Sequence, residues 1–217
     1  MSKEVPQRGS MVRNLSTLGI IGPVLYTSTW LVLGFLDSAH SHIRDPVSNL
    51  SGVGAPYTAI MTSVIILFAL FILGFSVALH LGFRQGFWSG PATMAVAAIG
   101  FLGIAFSPVD LSYPESAGDI HLIFASVTIF ALILTPVLML PKLQRNSEWN
   151  KLRGYSVVTT VLAFLCSLLV PLPSLASLQG LLQRLVLVIV FVWMMVIAVC
   201  LYKSQSSESH RGLVRKP

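Results

Sequence analysis

The side chains able to do chemistry in this chain are few and bunched. Asp45, Ser48, Asn49 and Ser51 fall in "RDPVSNLSG", Asp110 in "SPVD", Asp119 and His121 in "GDIH", and Arg184 stands alone in "SLQGLLQRLVLVIV". A carboxylate near an imidazole suits proton transfer, with His121 as the general base. An arginine suits an anion, because its fixed charge and fork of N–H groups match carboxylate and phosphate. His40 and His42 of "HSH", with His121 and Asp110, compose a set from which a metal site can be drawn. That spacing matches no familiar zinc pattern, so no metal is expected.

Other chemistries find less support. The sequence contains no GxSxG, no Walker loop and no Cys-His arrangement, which leaves nucleophilic catalysis without a motif. A bis-histidine haem needs imidazoles facing each other at one depth, whereas His80 lies near one end of its apolar segment and His121 near the opposite end of another. Proton-coupled transport normally places carboxylates deep in a bundle. Here the acidic residues all sit at segment ends, and no cofactor is expected.

The elements that must position these residues follow from composition. Of 217 residues, 54% are hydrophobic and 10% charged, with a mean hydropathy of +0.80; soluble domains carry about 25% charged residues. A membrane span needs roughly 20 apolar residues at about 1.5 Å of rise each. Six segments qualify, near 15–36, 57–82, 89–107, 119–141, 152–173 and 178–202. The expected fold class is therefore all-α, a polytopic bundle of six transmembrane helices forming one domain over 1–203, with a polar tail over 204–217. The first segment exceeds the ~7–15 apolar residues of a signal peptide and should stay as a helix. No motif repeats between the two halves. The third segment, "GPATMAVAAIGFLGIAF", is dense in small residues that let backbones approach closely, which suggests a central helix.

The net charge of +6 does not point to nucleic acid, because the basic residues alternate among the connectors. Lys3, Arg8 and Arg13 precede the first helix; Arg84 lies in the second connector; Lys142, Arg145, Lys151 and Arg153 lie in the fourth; Lys203, Arg211, Arg215 and Lys216 end the chain. The positive-inside rule makes these cytoplasmic, so a cell-membrane protein with both termini inside is expected. The opposite connectors hold Asp37, Asp45, Asp110, Glu115 and Asp119, with Arg44 as their basic residue. Membrane lipids are the expected partners, and nothing in the sequence sets an oligomeric state. Cys166 and Cys200 fall at opposite depths of an antiparallel hairpin, roughly 20 Å apart by helical rise, too far for a disulfide.

The connector "RDPVSNLSGVGAPY" is rich in residues that fix backbone geometry. Asp45 can cap a short helix, Pro46 begin it and Gly52 end it in the left-handed region. Gly54 then allows a further turn, and Pro56 begins the second membrane helix. One reading leaves Asp45 as a cap; the other has Asp45, Ser48, Asn49 and Ser51 lining a polar vestibule. "NLS" at Asn49 is also a glycosylation sequon, a short pattern that lies close to the membrane here. Asp119 suits the cap of the fourth helix. His121 shares a stripe with Ala125 and Thr128 that should face the interior, as a functional group or as a structural, hydrogen-bonded histidine. Arg184 lies about two turns inside the sixth helix, where a charge costs up to ~2.5–3.5 kcal/mol at the bilayer centre unless it is paired. A pair with Asp110 or Asp45 is expected.

"DPVSNLSGVGAPYTAIM" after a first helix, then "GIAFSPVD" and "GDIHLIFA", resembles the bacterial and archaeal membrane family catalogued as domain of unknown function 998. The resemblance covers nearly all six helices in order. It implies a six-helix integral membrane protein and carries no catalytic role to Asp45, Asp110 or His121. The function expected is an outward-facing polar pocket of Asp45, Ser48, Asn49, Asp110, His121 and Arg184 that binds a small molecule or lipid headgroup. Alternatives are an integral membrane enzyme acting on a lipid or isoprenoid-like substrate through His121, and an accessory subunit without a ligand.

Overall fold

The computed structural model describes residues 4–83, 88–111, 119–144 and 149–214. Among them the regular structure is helical, with one isolated bridge pair, Val53 with Asp110. Six helical stretches are long and apolar enough to cross a membrane. They are α1 (Glu4–Leu36), α2 (Thr58–Gly82), α3 (Ser89–Phe106), α4 with its continuation α5 (Asp119–Leu138 and Leu140–Gln144), α6 (Leu152–Leu169) and α7 (Gln179–Val214).

Prolines set several of the boundaries. Pro141 has no N–H to give the Val137 carbonyl, and the Lys142 N–H turns back three residues to the Met139 carbonyl at 3.0 Å, so the fourth span breaks between α4 and α5. Pro171 and Pro173 stop α6 at Leu169, short of the end expected near 173, and a 3₁₀ turn over Pro173–Leu178 leads into α7. At the termini the helices are longer than expected. The first begins at Glu4, and the segment after Lys203 continues α7 through Val214.

Each span packs on its sequence neighbour, and α7 packs back on α1, which closes a ring in the order α1, α2, α3, α4, α6, α7. Four helices contribute to an aromatic cluster inside it. Tyr26 of α1 stacks on Phe68 of α2 at 4.7 Å, and Phe68 meets Phe101 of α3 and Phe191 of α7 edge-on at 5.0 and 5.2 Å. Such edge-to-face pairs add directional attraction in lipid, where apolar burial alone does not hold helices together. The small residues of α3 serve a different contact from the central one expected. Added Cβ atoms at Gly100 and Gly103 would overlap Thr128 and Phe124, so the glycines allow α3 and α4 to approach closely. On the other side of the ring, α6 turns only a narrow stripe of Ser156, Thr159 and Ala163 inward. It is tied to α7 by the Trp193 indole N–H, which donates to Ser156 Oγ at 2.9 Å.

The first turns of α1 share one face of the bundle with the end of α2 and with Tyr202 of α7: Arg8 donates to the Leu81 carbonyl, and the Arg13 guanidinium lies 6.0 Å from the Tyr202 ring. The connector between α1 and α2 lies at the opposite face. There it meets the beginning of α7.

Candidate functional site

Two stripes face each other beneath that connector. On α1, Tyr26, Trp30 and Gly34 follow at intervals of four and stack along one side of the helix. On α7, Gly180, Arg184, Leu187 and Phe191 follow at intervals of four, three and four and line one side likewise. Arg184 is 5% exposed and Trp30 also 5%, and the guanidinium lies over the Trp30 ring at 5.0 Å from its centroid, a cation–π contact shielded from water.

The connector is sewn to α7 by that arginine and by the first turn of its helix. Arg184 Nη1 donates to the His42 carbonyl at 2.8 Å and to the Asp45 carbonyl at 2.7 Å. Nη2 donates to His40 Nε2 at 2.9 Å; since guanidinium can only donate, that ring nitrogen carries the lone pair. The N–H groups of Gly180 and Leu181, which a helix start leaves without intrahelical partners, bond to the Arg44 and Ile43 carbonyls at 3.1 and 2.9 Å. Gln183 Oε1 accepts from the Val47 N–H at 2.8 Å. Two glycines make the approach feasible. A Cβ at Gly180 would overlap the Asp45 carbonyl and crowd Arg184 Nη1, and one at Gly34 would overlap the His42 ring.

The expected pairing of Arg184 with a carboxylate is not what forms. Among the described residues the ion pair is Arg44 with Asp45, with Nε to Oδ1 at 2.7 Å and Nη2 to Oδ2 at 2.9 Å. The Asp45 carboxylate is taken up by Arg44 and by the Ser41 N–H, which donates to Oδ2 at 2.7 Å, and Asp45 offers Arg184 its main-chain carbonyl instead. The cap roles shift for the same reason. Asp45 closes the turn before it and leaves the 3₁₀ helix Val47–Ser51 to be capped by Gln183. Gly52, expected in the left-handed region, is extended at φ −66, and the positive φ falls on Gly54 at 90. Pro56 precedes α2, which begins at Thr58.

Electrostatics follow from this arrangement. The Arg44 hydrogen bond, helped by Ser41, holds the Asp45 carboxyl below its ordinary value against the opposing effect of burial. Burial and then the Arg184 charge push His40 below its ordinary value, with Asp45 partly offsetting them. Burial and Arg184 also lower His42, with the Leu31 main chain pulling the other way.

The other candidate residues are distributed around this cluster. Ser48 and Asn49 are half-buried in the 3₁₀ turn, where the Ser48 carbonyl accepts from Ser51 Oγ and the Asn49 carbonyl from the Gly52 N–H. Asp110 pairs with Val53 in a parallel bridge: the Val53 N–H donates to the Val109 carbonyl at 2.7 Å and the Leu111 N–H to the Val53 carbonyl at 3.4 Å. Asp119 is in the first turn of α4, and the segment expected to precede its cap lies outside the described residues. His121 is buried, and its Nδ1 lies 2.7 Å from the Ser107 carbonyl at the end of α3. So the connector, Asp110 and Arg184 join through the backbone, while His121 is anchored separately. The ring order explains it, because α4 packs mainly between α3 and α6 and Arg184 faces α1. Of the imidazoles considered for a metal, His40 and His42 meet edge-on at 5.6 Å.

Trp30, Gly34, Gly180 and Gln183 are the members that sequence reasoning did not single out, and the four-residue spacing of Tyr26, Trp30 and Gly34 is the signal that could have found them. Trp30 Nε1, both ring nitrogens of His42, and Arg184 Nε are buried without a hydrogen-bond partner. Leaving a buried donor unpaired costs ~1–3 kcal/mol.

A family model described as "Protein of unknown function (DUF998)" matches residues 20–200. Comparison with curated proteins and with solved structures gives no match.

Proposed function

The chain belongs to the family described as protein of unknown function (DUF998), whose match reaches all six spans, and on that premise we propose that this integral membrane protein is a binder with an outward-facing polar pocket under the 37–57 connector. The pocket takes a small molecule or a lipid headgroup. The observation that carries the reading is the buried Arg184, a costly charge that gathers the connector over itself and keeps its Nε–H without a protein partner. The alternation of basic residues supports an extracytoplasmic position for this end and a cytoplasmic one for the termini. Native mass spectrometry of the protein extracted with its own lipids tests it. A bound mass retained by wild type and lost in Arg184→Met is expected; no retained mass, or equal retention by the variant, refutes the reading.

His121 favours a second reading, an enzyme acting on a lipid or isoprenoid-like substrate. A carbonyl only accepts, so Nδ1 carries the proton toward Ser107 and Nε2 is the nitrogen left to exchange a proton with a substrate. Product formation from a membrane extract that stops in His121→Gln would move the assignment to an enzyme.

A further inference from the structure

Arg184, Trp30 and His42 present polar atoms without a hydrogen-bond partner in the protein. Arg184 Nε, Trp30 Nε1 and both nitrogens of His42 are shut off from solvent and have no hydrogen-bond partner. They belong to one locus: the guanidinium carbon is 5.0 Å from the centre of the Trp30 ring, and the rings of Trp30 and His42 are 6.0 Å apart. Their chemistry is one-sided. A guanidinium N–H and an indole N–H can only donate, so neither satisfies the other, and His42 can supply a third N–H. Whatever completes this group must accept hydrogen bonds.

It must also suit the charge. Among the described residues no carboxylate stands within 4.0 Å of Arg184, and the Asp45 carboxylate is engaged by Arg44. Three of the other four N–H groups of Arg184 rest on neutral atoms, two carbonyl oxygens and an imidazole nitrogen. A buried cation so placed has no carboxylate in contact among the described residues, and a negatively charged acceptor supplies both missing things at once.

We infer that Trp30, His42 and Arg184 form a binding site for the oxygen of a phosphate group, held by Arg184 Nε–H, Trp30 Nε1–H and a ring N–H of His42. This rests on the proposed binding function and narrows its ligand to an anion. The phosphate can belong to a lipid headgroup or to free inorganic phosphate, which present the same oxygen.

The test uses the full chain purified in a nonionic detergent, with thermal unfolding followed at one fixed pH. One arm titrates inorganic phosphate against chloride at equal ionic strength; the other compares phosphatidylglycerol with diacylglycerol, which lacks the phosphate. Trp30→Phe is the decisive variant, because it keeps an aromatic ring beneath Arg184 and removes one donor. Arg184→Lys is the companion, keeping the charge and removing Nε–H.

A saturable rise in the wild-type midpoint is expected, with a half-saturating concentration at least tenfold higher in Trp30→Phe. A rise with inorganic phosphate identifies the free anion, and a rise with phosphatidylglycerol alone identifies the headgroup. The inference is overturned if neither raises the wild-type midpoint, or if Trp30→Phe and Arg184→Lys both respond as wild type does. Native mass spectrometry separates the two levels of failure. A retained uncharged ligand would sink the phosphate assignment and leave the binder standing, whereas no retained ligand would remove both.

Discussion

Arg184 reaches Asp45 through the main chain, with Nη1 donating to the Asp45 carbonyl at 2.7 Å while the Asp45 carboxylate binds Arg44. The two residues are 139 positions apart and bind by an atom that every residue type carries.

Substitutions at the two positions should therefore differ. Arg184→Met removes bonds to two carbonyls and an imidazole, and hydrogen bonds to charged groups contribute ~1.5–3 kcal/mol each before the relief of burying the charge is subtracted. A net loss of roughly 2–3 kcal/mol is expected in reversible unfolding in detergent. Asp45→Asn weakens an ion pair whose arginine is 62% exposed, so its cost should stay below ~1 kcal/mol. Equal costs would mean that the Asp45 side chain, and not its carbonyl, holds Arg184.

The two close-approach glycines should behave oppositely to a third. Gly34→Ala and Gly180→Ala force a Cβ into His42 and into the Asp45 carbonyl, and overpacking of this kind costs ~1–3 kcal/mol. Gly154, in the first turn of α6, has open space around its missing Cβ. Gly154→Ala should stabilise by about 0.5 kcal/mol through helix propensity. Thermal midpoints of the three variants check the sign at each position.

Acidification should loosen the connector. His40 accepts from Arg184, which requires a neutral ring nitrogen, and its folded-state pKa lies below the ordinary 6.5 through burial and the Arg184 charge. A depressed histidine pKa means that the stability is fully present above 6.5 and is lost as pH falls through the folded-state value. His42 shifts the same way and adds to the slope. Unfolding midpoints measured from about pH 7 to about pH 5 should fall, and His40→Gln, whose amide oxygen can accept from Arg184 at every pH, should flatten the curve. A slope unchanged by His40→Gln and by His42→Phe would place the titration elsewhere.

Topology gives a direct check on orientation. In a chain whose Cys166 and Cys200 are replaced by serine, a cysteine at Ser38 should react with an impermeant reagent applied to intact cells, and one at Lys203 should not. The reverse pattern would invert the proteins's proposed orientation and place Arg184 toward the cytoplasm.

Much of the architecture was legible because it is one-dimensional. A run such as residues 58–82 is apolar from end to end, and a single arginine within "LLQRLVLVIV" stands out against its neighbours. The partner of that arginine was not legible. Sequence reasoning weighs side chains, so it offered Arg184 a carboxylate, while the fold supplied carbonyls from His42 and Asp45. Gly34 and Gly180 drew no notice as sequence, and only the approach of α1, α7 and the connector gives their missing side chains a purpose. His121 and Arg184 were grouped by position along their helices. The order of helices around the ring, which that reckoning omits, separates them.

The stitching of the connector to α7 also fixes an order of events during biosynthesis. The carbonyls of His42, Ile43, Arg44 and Asp45 are synthesised with the first hairpin, but their donors arrive with Gly180, Leu181 and Arg184, up to 144 residues after His40. At about 5–20 residues per second, the ribosome keeps the nascent chain waiting on the order of ten seconds with those acceptors answered by water or by a chaperone. A chain cut short before α7 leaves these acceptors without their donors, so the connector closes over the bundle only once Gly180, Leu181 and Arg184 have been made.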